Sequence, residues 1–309
     1  MPVIQVNISG QQIVDLDGVR NRLRHALAHT DPTMPVVAMI HGYKFSPFVP
    51  AHDPHTHILS SAPSRTGFKA VSWPKGLGAD AGSVGPICLA IGWEGRASPW
   101  QAYDNAAMAG HALADVIRLV REWRPGQMVD VLAHSFGARV ALSALPHLPA
   151  GAMGQMILMA PAELRKRAMR ALDCPAGRAA EVIAITSREN DLFDGMLEWL
   201  VAPHCIGDRA LSHGPAPRQT RWTTIQIDDP ETRRALAEFG HRIPAPDRQV
   251  CHWSVYVRTG LFSLYRAIYS GEISLPELRA KLPKQQRPRW SRLFQLPAMP
   301  SIFPTGRAS

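Results

Sequence analysis

One run, residues 129–142 (VDVLAHSFGARVAL), constrains the fold of this chain more than any other stretch. It begins as an apolar strand and ends in helix-forming residues, with Ser135 at the junction. Ala133 and Gly137 stand two residues before and after the serine, and small side chains there allow a sharp, strained turn. The run therefore predicts a nucleophile elbow, G-x-S-x-G, with alanine at the first glycine position. The alternative is a plain strand–turn–helix whose serine only caps the helix.

The elbow and an upstream strand together predict an oxyanion hole. In the elbow, the amide of Phe136 would lie at a helix N-terminus and could donate to an oxyanion. Upstream, the apolar residues 35–40 run directly into His41-Gly42-Tyr43. Such a strand end is where serine hydrolases place their second donor, which we expect to be the amide of Tyr43. An ordinary strand-to-loop glycine is the alternative, and the downstream elbow favours the functional interpretation.

An acid and a base are expected later in the chain. The apolar strand 181–186 ends in Ser187-Arg188-Glu189-Asn190-Asp191. Asp191, just past that strand and before the last histidine, is the expected acid, with Asp194 as the alternative; one of the two could instead cap a helix. His252 precedes an amphipathic segment and is the expected base, which would accept the Ser135 proton. His241 is its nearest competitor.

These motifs together resemble the α/β-hydrolase superfamily over about residues 35–269. The resemblance implies an α/β fold, a mostly parallel twisted sheet with helices on both faces. It also implies acyl hydrolysis through an acyl-serine intermediate without a cofactor. By motif position it assigns Ser135, Asp191 and His252 as the catalytic residues and the amides of Tyr43 and Phe136 as oxyanion donors. We expect the side chains beside the substrate to include His41, His134, Trp93 and Trp253.

The predicted domain, residues 1–274, carries inserted loops at about 44–86 and 203–220. Residues 275–309 form a basic, proline-rich tail with six of the nine net positive charges, which we interpret as partly extended and solvated. Its charge alone does not indicate nucleic acid, because no nucleic-acid-binding motif accompanies it. The histidine-rich run 52–57 fits no specific metal-ligand spacing, so a hydrogen-bonded surface loop is favoured and no metal site is predicted.

The apolar runs, the N-terminal residues and the cysteines indicate the compartment in which the protein works. The longest apolar runs have the length of core strands, and none could span a membrane. No basic-then-apolar leader is seen, and the four cysteines (Cys88, Cys174, Cys205, Cys251) have no short paired spacing. We therefore expect a cytoplasmic protein with reduced thiols.

The sequence predicts a serine esterase that acts on small-molecule or polymeric carboxylic esters. A thioesterase, an amidase or a lipase-type enzyme could use the same triad, because fold and triad do not fix the leaving group. A catalytically degenerate hydrolase fold that only binds a partner is the non-enzymatic alternative. The identity of the substrate and the oligomeric state do not follow from the sequence.

Overall fold

A computed structural model describes residues 3–64, 67–80, 85–201, 206–214 and 221–293. Within these residues the chain forms an eight-stranded sheet with the strand order β2-β1-β4-β3-β5-β6-β7-β8. Every pairing is parallel except that of β1 with β2. The strands are β1 (Val3–Ser9), β2 (Gln12–Ile13), β3 (Val36–Ile40), β4 (Ile87–Trp93), β5 (Val129–His134), β6 (Met153–Met159), β7 (Glu181–Thr186) and β8 (Trp222–Gln226).

Helices cover both faces of this sheet, which confirms the predicted fold class. The helices are α1 (Leu16–Ala28), α2 (Trp73–Gly76), α3 (Pro99–Trp123), α4 (Phe136–Ala144), α5 (Arg165–Leu172), α6 (Pro175–Ala179), α7 (Asp191–Leu200), α8 (Pro230–Glu238), α9 (Ser254–Val257), α10 (Leu261–Tyr269) and α11 (Leu275–Lys281). None of the helices that the structure describes is long and apolar enough to span a bilayer.

The central strands are buried on both faces, as expected of a parallel sheet. All residues of β3 and β4 are buried. Alternate side chains of β3 point to opposite sides: Ala38 packs in the core under α1, α3 and α4, and Met39 packs in the core under α9 and α10. A continuous apolar run in the sequence is therefore the signature of these strands.

Two details of the fold concern β1 and the segment 253–269. The two-residue β2 pairs with β1 at Ile8 and Ile13, so β2 and not β1 is the edge strand. The amphipathic segment 253–269 forms two helices, because Gly260 adopts a φ of 90° between them. A Cβ there would also lie 2.7 Å from the carbonyl oxygen of Arg242, so glycine permits both the turn and the close contact.

The predicted tail is not a solvated extension over its described part. Residues 275–281 form α11, and the segment 286–293 packs against α7. Arg289 donates to Glu198 at 2.7 Å, and the ring of Trp290 stacks on Trp199 at 6.4 Å. Arg289 of the basic segment is thus paired with a carboxylate of the same chain. Residues 294–309 lie outside the described part, and the domain division stays a prediction.

Candidate active site

The candidate site lies at the carboxyl edge of the sheet, where the strands bring distant residues together. Parallel strands end on the same side, so the segments after β3, β4, β5 and β7 meet there. His41 follows β3, Ser135 follows β5, and Asn190 follows β7 by a short turn. The loop carrying His252 closes over this edge from the other end of the chain.

Ser135 has the strained backbone that a nucleophile elbow requires. Its φ of 56° and ψ of −124° are rare for a non-glycine residue and cost on the order of 1–3 kcal/mol. The surrounding chain maintains this conformation. The amide of Ser135 donates to Met159 O at 3.0 Å, and its carbonyl accepts from the amide of Ala162 at 3.1 Å. The strain places the serine at the start of α4, as the sequence predicts.

Two glycines let the elbow and the turn after β3 touch. A Cβ on Gly137 would lie 2.5 Å from the carbonyl oxygen of Ile40 and 2.7 Å from that of His41. A Cβ on Gly42 would lie 2.7 Å from the Cβ of Ser135. A shift that relieves both contacts would cost free energy, because the opposing atoms lie in buried, closely packed parts of the chain. Glycine is therefore required at positions 42 and 137 because a larger side chain would collide with neighbouring atoms.

Two backbone amides are available as oxyanion donors. The amides of Tyr43 and Phe136 have no hydrogen-bond partner within the described residues. Phe136 is the first residue of α4, so its amide is free by helix geometry and lies at the positive end of the helix. The next amide, that of Lys44, is not available, since it donates to Gly95 O at 2.7 Å. The predicted donors thus both have unused N–H groups.

His41 orients one of these donors. Its Nδ1–H donates to Gly42 O at 2.9 Å, and its Nε2 accepts from the amide of Trp93 at 3.0 Å. Burial lowers the pKa of His41 to about 3, so the ring is neutral and keeps this tautomer. The carbonyl of Gly42 and the N–H of Tyr43 belong to one trans peptide and point in opposite directions. Fixing the carbonyl therefore aims the Tyr43 amide.

Trp93 contacts the same turn through His41. Its Nε1–H donates to His41 O at 3.1 Å, and the two rings stack with their centroids 5.3 Å apart. Both side chains are fully buried, and neither is among the residues that line the catalytic cavity. The structure places both side chains against the backbone of the turn before Tyr43, and their predicted place beside a substrate stays a prediction.

His252 has the tautomer that a general base needs. Its Nδ1–H donates to Asn190 Oδ1 at 2.6 Å, so Nε2 remains an acceptor. Burial is the main reason why the pKa of His252 lies well below its ordinary value, followed by the charges of His134 and Lys69. Ser135 and His252 line the same cavity. The two residues predicted to exchange a proton are thus brought to one site.

His134 and Trp253 flank the base, and both line the cavity. The Nε2–H of His134 donates to the carbonyl oxygen of His252 at 3.1 Å. Burial lowers the pKa of His134 to about 4, so this ring is also neutral. On the other side, the ring of Phe193 stacks on His252 at 4.7 Å. His252 is therefore held by contacts to its backbone and to its ring.

Asn190, not Asp191, is the partner of His252. The Oδ1 of Asn190 accepts from the histidine, and its Nδ2 donates to Asp194 Oδ1 at 2.9 Å. The other oxygen of Asp194 accepts from Ser212 Oγ at 2.6 Å. Burial raises the pKa of Asp194 to about 7. The carboxyl group of Asp194 thus fixes which end of the amide faces the base.

The expected acid, Asp191, faces away from the base. Its carboxylate accepts from Arg188 at 3.0 Å and from the amide of Trp290 at 2.6 Å. The short turn after β7 explains the difference, because α7 begins at Asp191 and points successive side chains in different directions. Asp191 is the wrong assignment for the partner of His252. The competing base, His241, contacts Ser263 at 3.3 Å.

No sequence motif predicts Asn190 as the partner of His252, although its position in the chain is suggestive. It directly precedes the predicted acid, and an amide oxygen can orient a catalytic histidine as a carboxylate does. An aspartate was expected in that role because it also supplies charge. In this chain Asn190 makes the contact to His252, and Asp194, one helical turn later, carries the carboxyl group that contacts Asn190.

A buried ion pair ties the turn after β7 to the loop of the base. Arg258 donates to the carboxylate of Glu189, which also accepts from Ser187 Oγ at 2.8 Å. The carbonyl of Glu189 accepts from the amide of Cys251, next to His252, at 2.9 Å. Removing one partner of such a pair would leave a buried charge uncompensated. The pair therefore stabilises the spacing between Asn190 and the base.

Two groups of side chains could be considered for a metal. Asp191, Asp194 and His213 offer ligand atoms within 4.8 Å of one another. Arg188 already places its guanidinium 3.0 Å from both Asp191 and His213, which supplies the positive charge that this group needs. In the histidine-rich loop, His55 instead donates to Asn7 Oδ1 at 2.7 Å and is buried.

A cavity of about 260 Å³ opens beside the serine. One helix, α7, supplies much of its apolar wall through Phe193, Met196, Leu197 and Leu200. The aromatic rings of Phe136 and Trp253 add to the lining. Sites for small organic molecules typically combine such a wall with a few polar groups, here Ser135 and His252.

The parallel sheet, the strained serine and the histidine at the carboxyl edge together define an α/β hydrolase. A comparison with protein families agrees: the model described as "Alpha/beta hydrolase of unknown function (DUF900)" matches residues 18–174, half of the chain. The chain belongs to this hydrolase family. The match includes β3, the oxyanion turn and the elbow, and it ends before Asn190 and His252. No curated protein matches the sequence.

Proposed function

We propose that this protein is a serine hydrolase that cleaves carboxylic esters through an acyl-serine intermediate. One observation carries the proposal. The strained Ser135 shares a cavity with His252, whose Nδ1–H is committed to Asn190 so that Nε2 can accept a proton. A packing serine or a packing histidine needs neither the strained turn nor the fixed tautomer.

The chemistry follows from these positions. The Oγ of Ser135 attacks the ester carbonyl while Nε2 of His252 takes the hydroxyl proton. The amides of Tyr43 and Phe136 donate to the oxyanion of the tetrahedral intermediate. His252 then protonates the leaving alcohol, which departs and leaves the acyl-serine. Water, deprotonated by His252, attacks the acyl group and restores the free serine.

The acid of this enzyme is a two-residue unit. When His252 gains its proton, the neutral amide of Asn190 keeps the ring in place but adds no full charge. Asp194 supplies that charge one hydrogen bond further away, through the same amide. Since chains of hydrogen bonds polarise one another, the ionised carboxylate strengthens the bond from Asn190 to the imidazolium. Asp194 therefore acts as a positioning residue with an electrostatic effect.

The test is active-site labelling with a fluorophosphonate probe. We expect the probe to label the wild-type protein at Ser135 and to fail on Ser135→Ala. Ser143→Ala is the matched control, because Ser143 lies in α4, about two helical turns after Ser135, and outside the cavity lining. Absence of labelling on the folded wild type, or equal labelling of Ser135→Ala, would refute the proposal and favour a binding role.

The labelled enzyme can then be offered matched acyl compounds. A butyrate ester, the corresponding thioester and the corresponding amide differ only in the leaving group. We expect the highest kcat/KM on the ester. A higher kcat/KM on the thioester or on the amide would keep Ser135 as nucleophile and reassign the reaction to a thioesterase or an amidase.

A further inference from the structure

Three cations gather at the mouth of the catalytic cavity. Lys44 lines the cavity directly after the oxyanion donor Tyr43. The Nζ of Lys69 lies 3.1 Å from the ring centroid of Trp253, the neighbour of the base. The guanidinium of Arg248 lies 4.4 Å from the ring centroid of Phe68, which itself meets Trp253 edge-on at 6.1 Å. An aromatic ring thus lies under each of the three cations beside the site, since the Nζ of Lys44 lies 5.8 Å from the ring centroid of Tyr43.

The three cations are close enough to repel one another. Burial is the first cause that lowers the pKa of Lys69; the charge of Cys251 opposes it, and the charges of Lys44 and Arg248 lower the pKa further. No carboxylate in the described residues forms an ion pair with Lys44 or Lys69. Arg248 has only the exposed Asp247 at 4.0 Å. A cluster of like charges is unfavourable unless a bound anion compensates it.

The backbone at Lys44 adds a second, independent argument. Its φ of 73° lies in the left-handed region, which glycine or asparagine adopts at less cost than lysine. The hydrogen bond from the amide of Lys44 to Gly95 O keeps this conformation in place. The side chain of Lys44 is exposed and has no carboxylate partner in the described residues, and its Nζ lies 5.8 Å from the ring centroid of Tyr43. Its charge at the mouth of the cavity is what distinguishes it from glycine.

The cluster also lies within electrostatic reach of the catalytic base. The charge of Lys69 is one of the causes that lower the pKa of His252. An anion bound among these cations would therefore lie beside the reacting ester and not on a remote surface. The apolar cavity of about 260 Å³ remains for an uncharged short acyl chain.

We propose that the ester substrate carries a negatively charged group, a carboxylate or a phosphate, next to the scissile bond, and that Lys44, Lys69 and Arg248 bind it. This proposal rests on the proposed esterase function and names its substrate class. The apolar acyl chain occupies the wall formed by α7, and the anionic part of the substrate lies on the Trp253 side of the mouth.

The test compares three esters in each variant. Phenyl butyrate is neutral, and two analogues carry a carboxylate or a phosphonate on the ring. We expect the wild type to favour an anionic ester by about tenfold in kcat/KM, the range of a hydrogen bond to a charged group. Lys44→Gln and Lys69→Gln should each reduce this ratio severalfold, and Lys75→Gln, an exposed lysine on α2, should keep it. The ratio should also fall at high salt.

The outcomes separate the two proposals. A wild type that hydrolyses phenyl butyrate but shows no anionic preference, or a preference that survives both lysine variants, overturns the substrate class and leaves the esterase standing. A wild type that cleaves none of the esters and resists the fluorophosphonate probe overturns both. If the carboxylate analogue is preferred, the natural anionic group is a carboxylate. If the phosphonate analogue is preferred, the natural group is a phosphate.

Discussion

The assignment of the acid is most sharply tested by Asp194→Asn. This change keeps the shape of the side chain and removes only its ability to ionise. In the wild type, the Asp194 carboxyl accepts from Asn190 Nδ2 at 2.9 Å and so turns the amide oxygen toward His252. An amide at position 194 can present either end, so Asn190 is no longer forced to one orientation. A flipped Asn190 would leave His252 in the wrong tautomer for accepting the serine proton.

The size of the effect follows from the bond that is lost. A hydrogen bond to a charged group contributes about 1.5–3 kcal/mol, and about 1.4 kcal/mol corresponds to a factor of ten in rate. We therefore expect kcat/KM on a neutral ester to fall about 10- to 100-fold at pH 8. The loss should shrink at pH 6, because burial raises the pKa of Asp194 to about 7 and the wild-type carboxyl is then protonated as well.

The assay is a pH profile of kcat/KM. The wild type should show an increase in activity near pH 7 that reports Asp194, because the low pKa of His252 keeps the base neutral across this range. Asp194→Asn should lack that increase. Asp191→Asn is the control: Asp191 pairs with Arg188 and not with the base, so the folded variant should keep the increase, moved to a lower pH because the charge of Asp191 helps to raise the pKa of Asp194.

Stability supplies a second readout that does not depend on activity. The pKa of Asp194 is raised on folding from 3.8 to about 7, so the folded state binds the proton more tightly. The free energy of unfolding then falls by up to about 4 kcal/mol as pH rises from about 4 to about 7. Asp194→Asn should remove this part of the pH dependence in urea unfolding.

Two results would refute this reasoning. One is an unchanged increase near pH 7 in Asp194→Asn at wild-type activity. The other is a loss of about 10⁴ in kcat for folded Asp191→Asn, the size expected when the residue that orients the base is replaced. The second result would restore the assignment made from the sequence and would require the turn at Asn190 to rearrange in solution.

Three further changes test the frame of the site. His41→Phe should lower kcat about 100-fold with little change in KM, because the Tyr43 amide loses its orientation; steady-state kinetics checks this, and an unaltered kcat would contradict it. Gly137→Ala should cost several kcal/mol in urea unfolding, since its Cβ would lie 2.5 Å from a backbone oxygen, and a loss below 1 kcal/mol would show that the elbow can open. The pKa of His134 falls on folding from 6.5 to about 4, so unfolding should become easier as pH drops through this range, and His134→Gln should reduce that slope.

Local patterns predicted the sheet and the elbow because their causes are local. Residues 87–93 are apolar throughout because the strand is buried on both faces. Gly137 is small because one backbone oxygen lies where its Cβ would be. Each of these constraints acts within a strand or between a strand and the turn after it, so it leaves a recognisable pattern of residue types.

The acid and the pocket wall could not be predicted in the same way. Whether Asn190 or Asp191 faces His252 depends on the rotation of a single turn after β7, and a one-residue change in that turn exchanges their roles. Trp93 was expected beside the substrate as one of several aromatic candidates for the pocket wall, but its indole N–H donates to the backbone carbonyl of His41. These side-chain directions arise from tertiary packing, which a sequence pattern does not encode.

The boundary of the family match has a mechanistic consequence. Residues 18–174 contain the strained serine and both proposed oxyanion donors, whereas the proposed base and its amide partner lie beyond residue 174. Family membership therefore supports a hydrolase without fixing how the base is tuned. In this chain the tuning depends on three contacts to the loop of His252: one from Asn190, one from His134 and one from Glu189. Because these contacts join segments far apart in the chain, a change in any one of them can alter the base without disturbing the elbow.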